Sequence, residues 1–190
     1  GLVPAISEVT INISKISAIE MDQTLKNRYI AELTGLRAIY GHQLLNLYGP
    51  LTIITDAAIA ENSEAEFVPR PSVDQMVAQI ESDYKAAAAV LPSRFTGDDY
   101  GRLSSAACLT GLMHLYMHEK RWQDAITTGN QIKGLGYSLI PEYDDNFTLK
   151  SDGGNSEIIL AIPTRPDANS NAWLAMALTS AYVDPSGQNI

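Results

Sequence analysis

The 190-residue chain holds a single cysteine, Cys108, so no disulfide can close within it, and one thiol leaves the redox compartment open. Cys108 sits inside an apolar helical stretch, where a buried thiol is the plain reading. No run of about 18 apolar residues exists, which excludes a membrane-crossing helix. The opening, GLVPAISEV, has neither the basic start of a leader nor a lipid-attachment cysteine. Basic residues are scarce: 13 Lys and Arg stand against 22 Asp and Glu, a net charge of -9. Such a field repels phosphate backbones and anionic lipid, so nucleic acid is not an expected partner. What remains, 45% hydrophobic and 18% charged residues, is the composition of one globular domain.

Apolar residues recur at helical spacing over most of the chain. Leu25, Tyr29, Leu33, Leu36, Tyr40, Leu44 and Leu47 step by threes and fours, which predicts a helix of more than six turns with that stripe facing a core. Ala31, Gly35 and Ala38 form a second, small stripe that admits a neighbouring helix closely. Two packed faces mean neighbours on two sides. Ile6, Val9, Ile13 and Ile16 predict a poorer helix before it, with EMDQ as the turn.

Gly49-Pro50 stops the long helix, because the residue before proline leaves the α region. LTIIT then has strand chemistry, and 51 to 69 reads as a segment laid across the helices. Ser72 and Gln75 form a capping box that opens the next helix; Val73, Met76, Val77, Ile80, Tyr84, Ala87, Ala88 and Leu91 are its stripe, and Pro92 ends it. SRFTGDDYG is a loop. Ser104 starts a further helix with Ala106, Leu109, Met113, Tyr116 and Met117 inward. EKR turns into a last helix from Trp122 to about Leu135, stopped by Gly134 and Gly136.

The spacing of Tyr116, Trp122 and Ala125 resembles the aromatic, aromatic, alanine pattern of a tetratricopeptide repeat, with Tyr116 a packing residue. The glycine expected before the turn is replaced by Lys120. Beyond Gly136 the chain changes character: GYSLIPEYDDNFTL alternates aromatic and polar residues, SDGGNS is a turn, EIILAIPT is strand-like, and the remainder is rich in Asn, Ser, Asp and Pro around an apolar insert.

Five segments in order carry a resemblance over roughly 20 to 162: KNRYIAELTGLRAIYGHQLLNLYGPLTIIT, RPSVDQMVAQIESDYKAAAAVLP, GRLSSAACLTGLMHLYMHEKRWQDAI, GYSLIPEYDDNF and NSEIILAI. Together they resemble the SusD/RagB family. The family versions are a Leu-Arg-Ala helix ending in Tyr-Gly-x-Pro, a Pro-Arg-x-Ser helix start, a Gly-Arg-x-Thr-x-x-Ala-Ala helix, a Gly-Tyr-x-Leu turn and a Glu-Ile-Ile strand. The chain departs from the pattern at Gly41 and His42, where the family has aromatic residues, and in lacking the acidic residue before Pro50.

The resemblance implies a mostly α fold, an α-α superhelix of degenerate tetratricopeptide-like helix pairs with a few short strands in loops. It implies one domain over 1–190, incomplete at both ends: 1–50 the first helix pair, 51–71 the crossing segment, 72–135 further helices, 136–190 a loop and strand region. It also implies a non-catalytic, cofactor-free role: a cell-surface lipoprotein of the outer membrane, anchored through a lipid upstream of this chain. Such a protein binds a glycan or other nutrient and delivers it to a TonB-dependent, SusC-like transporter. The alternative is a tetratricopeptide-like scaffold for a protein or peptide, which would carry its ligand residues on concave helix faces.

Family ligand contacts lie in variable loops, one of which follows the Glu-Ile-Ile strand. That places Arg165, Asn169, Asn171, Trp173 and Tyr182 as the candidate ligand-binding residues. An aromatic face stacks on the C–H face of a pyranose while amides and a guanidinium satisfy vicinal hydroxyls. The plainer reading makes Trp173 an anchor of the apolar insert and the polar residues solvated. His114 and His118, four apart beside Glu119, lack a third metal ligand, and YDDNF and SDGGNSE lack calcium-loop spacing. Asp98-Asp99 and Asp144-Asp145 are sequence neighbours on loops, unlike carboxylate pairs that face each other across a cleft. Ser104-Ser105 has no nucleophile-elbow context.

Overall fold

A computed structural model describes residues 1–62, 69–148 and 154–162. Six α-helices lie in the described residues: α1 (Leu2–Ala18), α2 (Gln23–Tyr48), α3 (Ala57–Glu61), α4 (Val73–Val90), α5 (Ser105–His118) and α6 (Trp122–Lys133). Single 3-10 turns occupy Gly97–Asp99 and Tyr143–Phe147.

The helix starts are set by their caps. Asp22 accepts from the Leu25 N–H, Ser104 from the Ala107 N–H, and Ser72 with Gln75 closes a reciprocal capping box. Gly49 ends α2 at φ +74, a conformation that side-chain-bearing residues avoid, and Pro50 prevents continuation.

Packing is serial. α1 packs on α2, α2 on α4, α4 on α5 and α5 on α6, while α3 lies against α1. That is the expected helical superhelix, and α2 does have neighbours on both sides. The short apolar stretches differ from expectation: LTIIT has no regular structure, EIILAI bends at Glu157 and Ile159, and no β-ladder forms among the described residues. β-branched residues make a strand only where another strand offers its backbone, and here helices surround them. Residues 52–54 nevertheless lie against neighbouring elements. Ile53 is buried, Thr52 Oγ1 donates to the Pro69 carbonyl at 2.9 Å, and Thr10 Oγ1 reaches across from α1 to the Ile54 carbonyl at 2.7 Å.

The deepest face of α2 is the small stripe. Ala31, Gly35 and Ala38 are buried, together with Gly41, His42 and Leu45, whereas of the long stripe only Leu44 is, and Leu47 is exposed. Small residues bring the partner helices so near that the interface forms around them. A Cβ on Gly35 would strike the Leu103 side chain and lie 3.0 Å from Cys108 Sγ. Gly41, where the resemblance has an aromatic residue, gives its space to Ile53 of the crossing segment, whose Cδ1 lies 2.7 Å from where a Cβ would stand. His42 meets the Tyr84 ring edge-on at 6.3 Å between centroids, and burial holds its pKa below the usual value.

On α5 Ala106 and Tyr116 are buried as expected, together with Ala107, Cys108, Leu112 and Leu115; Met117 is exposed, and Leu109 and Met113 are half-buried. Tyr116 packs as expected and Ala125 is buried, but Trp122 points outward, 58% exposed. The α5–α6 turn places Lys120 at φ +58, so the position where a repeat carries glycine has kept the left-handed backbone without the glycine.

Candidate functional site

The predicted ligand residues Arg165, Asn169, Asn171, Trp173 and Tyr182 lie outside the described residues. The chain leading to them does not. Residues 154–161 form one wall of a cleft whose other wall is the loop 94–102, with a cavity of about 150 Å³ between them. That is smaller than the roughly 300–1,000 Å³ of sites that enclose a drug-sized ligand, so it can seat one ring of a longer molecule.

The 94–102 loop is held to the scaffold by charge. Arg102 donates to both oxygens of Glu32 on α2, at 2.7 and 3.2 Å, and Arg28 donates to Asp99 at 3.3 Å. Both guanidinium groups lie 5.5 Å from the centre of the Tyr29 ring, and Arg28 lies as far from Phe95. Asp99, read from sequence as half of a carboxylate pair, is thus engaged by two arginines. Its pairing with Glu32 holds Arg102 above the usual arginine pKa.

The other wall is fixed through the 137–146 turn. Ser138 and Ser156 exchange two hydrogen bonds, at 3.1 and 3.0 Å. Glu157 accepts from the Ile140 N–H and from Asn146, and Asn155 donates to Asn146 at 2.8 Å while accepting the Glu157 and Ile158 N–H groups. Arg94 joins the two walls: it donates to the Asn155 and Ser156 carbonyls at 3.4 and 3.1 Å and stacks 4.2 Å above Tyr137, whose hydroxyl donates to the Ser93 carbonyl. At Gly154, φ +99, the backbone touches the Tyr100 ring; a Cβ there would meet it at 2.7 Å. Only glycine fits this backbone and this approach.

Sequence reasoning read SRFTGDDYG as a loop and stopped there. The signal was present, since two arginines and two aromatic residues fall within Arg94–Arg102, but its partner wall is more than fifty residues away. His118 is exposed, with Nδ1 2.9 Å from Glu119 Oε1, and His114 is exposed on the same helix. Among the described residues no three His, Cys, Asp or Glu side chains gather as a metal site, and no helix is long and apolar enough to cross a membrane.

Two wider grooves flank α5. One, about 530 Å³, lies between α4 and α6, with Lys85 and Gln131 on its walls and Leu112 and Tyr116 on its floor. The other, about 610 Å³, is apolar and runs along α5 and α6 past Met113, Met117, Trp122 and Ile126. These grooves leave part of the helix faces open.

No family model matches the chain. It is 27% identical over 139 residues to a SusD-like protein, P25, of Formosa agariphila, an alignment covering 73% of this chain and 26% of that one. Among solved structures it is similar to a laminarin-binding SusD-like protein, at TM-score 0.73 and 28% identity over 82% of this chain and 34% of that one. It is also similar to a SusD-like carbohydrate-binding protein of Bacteroides fragilis, at TM-score 0.77 and 23% identity over 85% and 32%. The chain therefore spans about a quarter to a third of the length of these relatives. In its helical fold and in its relatives alike, the chain is similar to SusD-like proteins.

Proposed function

We propose that this chain is part of a cell-surface glycan-binding protein that holds an oligosaccharide without chemistry and delivers it to a TonB-dependent, SusC-like transporter. On this reading the protein is held at the outer membrane by a lipid anchor outside this sequence. The observation that carries the reading is the likeness to a laminarin-binding SusD-like protein at 28% identity over most of this chain. Glycan contacts come from the loop beyond Ile162, with Trp173 stacking on a sugar ring and Arg165, Asn169, Asn171 and Tyr182 bonding hydroxyls. The peptide-scaffold alternative is favoured by one feature, the concave groove between α4 and α6.

The test is a titration of the protein with soluble oligosaccharides of several linkages, repeated with Trp173→Ala. Saturable binding lost in the variant supports both the glycan reading and the loop. Binding that survives the substitution removes Trp173 from the site, and absence of binding to every oligosaccharide removes the glycan reading.

A further inference from the structure

Among the described residues, the cleft between 94–102 and 154–161 is lined by two arginines and by no aspartate or glutamate, in a chain of net charge -9. The two cations are not equivalent. Arg102 spends its charge on Glu32 and Asp99. Arg94 has no carboxylate partner among the described residues: two carbonyls and the Tyr137 face hold it, leaving three of its five N–H donors unused. Carbonyls orient a guanidinium without neutralising it. Among the described residues the side chain is therefore fixed in a concave site with no carboxylate to answer its charge, the arrangement that suits an anion carried by the ligand. Beside it stand Phe95 and Tyr100, which offer ring faces, and the exposed Thr96 hydroxyl.

We propose that this cleft takes a negatively charged sugar unit, bearing a carboxylate or a sulfate ester, with Arg94 as the counter-cation and Phe95 or Tyr100 against the ring. The proposal rests on the glycan reading above and specifies its ligand class. A neutral sugar would find hydroxyl partners here but would leave the Arg94 charge unanswered, whereas an acidic unit gains a charge-assisted bond to a pre-oriented donor.

The experiment is calorimetric titration of the full chain with a galacturonate trisaccharide, a sulfated galactan tetrasaccharide, neutral laminaritriose and inorganic sulfate, at low and high salt. It is repeated in Arg94→Met, Arg94→Lys and Thr96→Asp, each checked by thermal melting. Thr96→Asp adds a carboxylate at the rim without disturbing the ties of Arg94, so it serves if Arg94→Met melts early. Expected is at least about tenfold tighter binding of one acidic oligosaccharide than of laminaritriose, narrowing at high salt. The gap should vanish in Arg94→Met and Thr96→Asp and persist in part in Arg94→Lys.

Laminaritriose binding as tightly as both acidic probes overturns the acidic ligand and leaves the glycan reading standing. A gap unchanged in Thr96→Asp and in a normally melting Arg94→Met overturns the cleft as its site. Inorganic sulfate matching the sulfated sugar reduces the site to a simple anion site. No oligosaccharide binding at all removes the glycan reading and this inference with it.

Discussion

Arg37 on α2 grips Asp83 on α4 with two parallel hydrogen bonds, Nε to Oδ2 at 2.7 Å and Nη2 to Oδ1 at 2.9 Å, both residues less than a tenth exposed. Gln79 donates to the same carboxylate at 3.0 Å, and the third guanidinium nitrogen donates to Thr10 on α1. Removing one partner leaves a buried charge alone. Asp83→Ala is expected to cost about 3–5 kcal/mol, whereas the paired change Arg37→Met with Asp83→Leu should fall near neutral. Urea unfolding of the two variants against the parent measures both, and a single variant no worse than the double would remove the argument.

Lys120 bends the α5–α6 turn from the left-handed region, where a Cβ is unfavourable. Lys120→Gly should stabilise the fold by about 1 kcal/mol, and Lys120→Ala should do little because it keeps the Cβ. A rise in melting temperature for glycine alone is the expected signature.

Gly111 faces Tyr84 so closely that an added Cβ would lie 2.6 Å from the ring and its hydroxyl. Alanine is the better helix former by about 1 kcal/mol, yet Gly111→Ala should destabilise by about 1–3 kcal/mol because a buried ring must move. Adding Tyr84→Leu should recover part of that loss in a double-mutant cycle; simple additivity would show that the two positions do not press on each other.

Glu81 is raised by burial, but bonds from Arg121, Lys85 and Tyr116 outweigh this and bring its pKa down from 4.5 to about 2. A carboxylate with a lower pKa folded than unfolded adds stability above its unfolded value. The contribution is complete above about pH 4.5 and is lost as pH falls from there towards 2. Its size is about 1–2 kcal/mol once discounted for the solvent around Lys85 and Arg121. In Glu81→Gln the acid limb of the stability curve should flatten by that amount, as pH-dependent urea unfolding would read.

The helices were legible because their signals are local. Ser72 with Gln75, Ser104, and Gly49 before Pro50 each act within one turn. What could not be read is what depends on the distance between elements. The leucine stripe of α2 looked like the core face because large apolar residues carry the pattern, but closeness of approach decides burial, and Ala31, Gly35 and Ala38 permit it. Arg37 and Asp83 are 46 residues apart, and no periodicity links them. The cleft is missed for the same reason: neither Arg94 nor Asn155 is distinctive until the chain folds back. Whether Arg165 or Trp173 touches a ligand was an inference from family loops, and it remains a proposal.

The Thr10 hydroxyl accepts from Arg37 and donates to the Ile54 carbonyl, so one side chain joins α1, α2, the crossing segment and, through Asp83, α4. In an ordinary repeat stack each unit holds only its neighbour, and either end can peel away by itself. Here the amino-terminal end is knotted, while among the described helices α6 packs on α5 alone. Amide protons of α1, α2 and α4 should exchange through one common opening, and those of α6 through a cheaper one, so loosening of the described helices has a direction, from α6 inward.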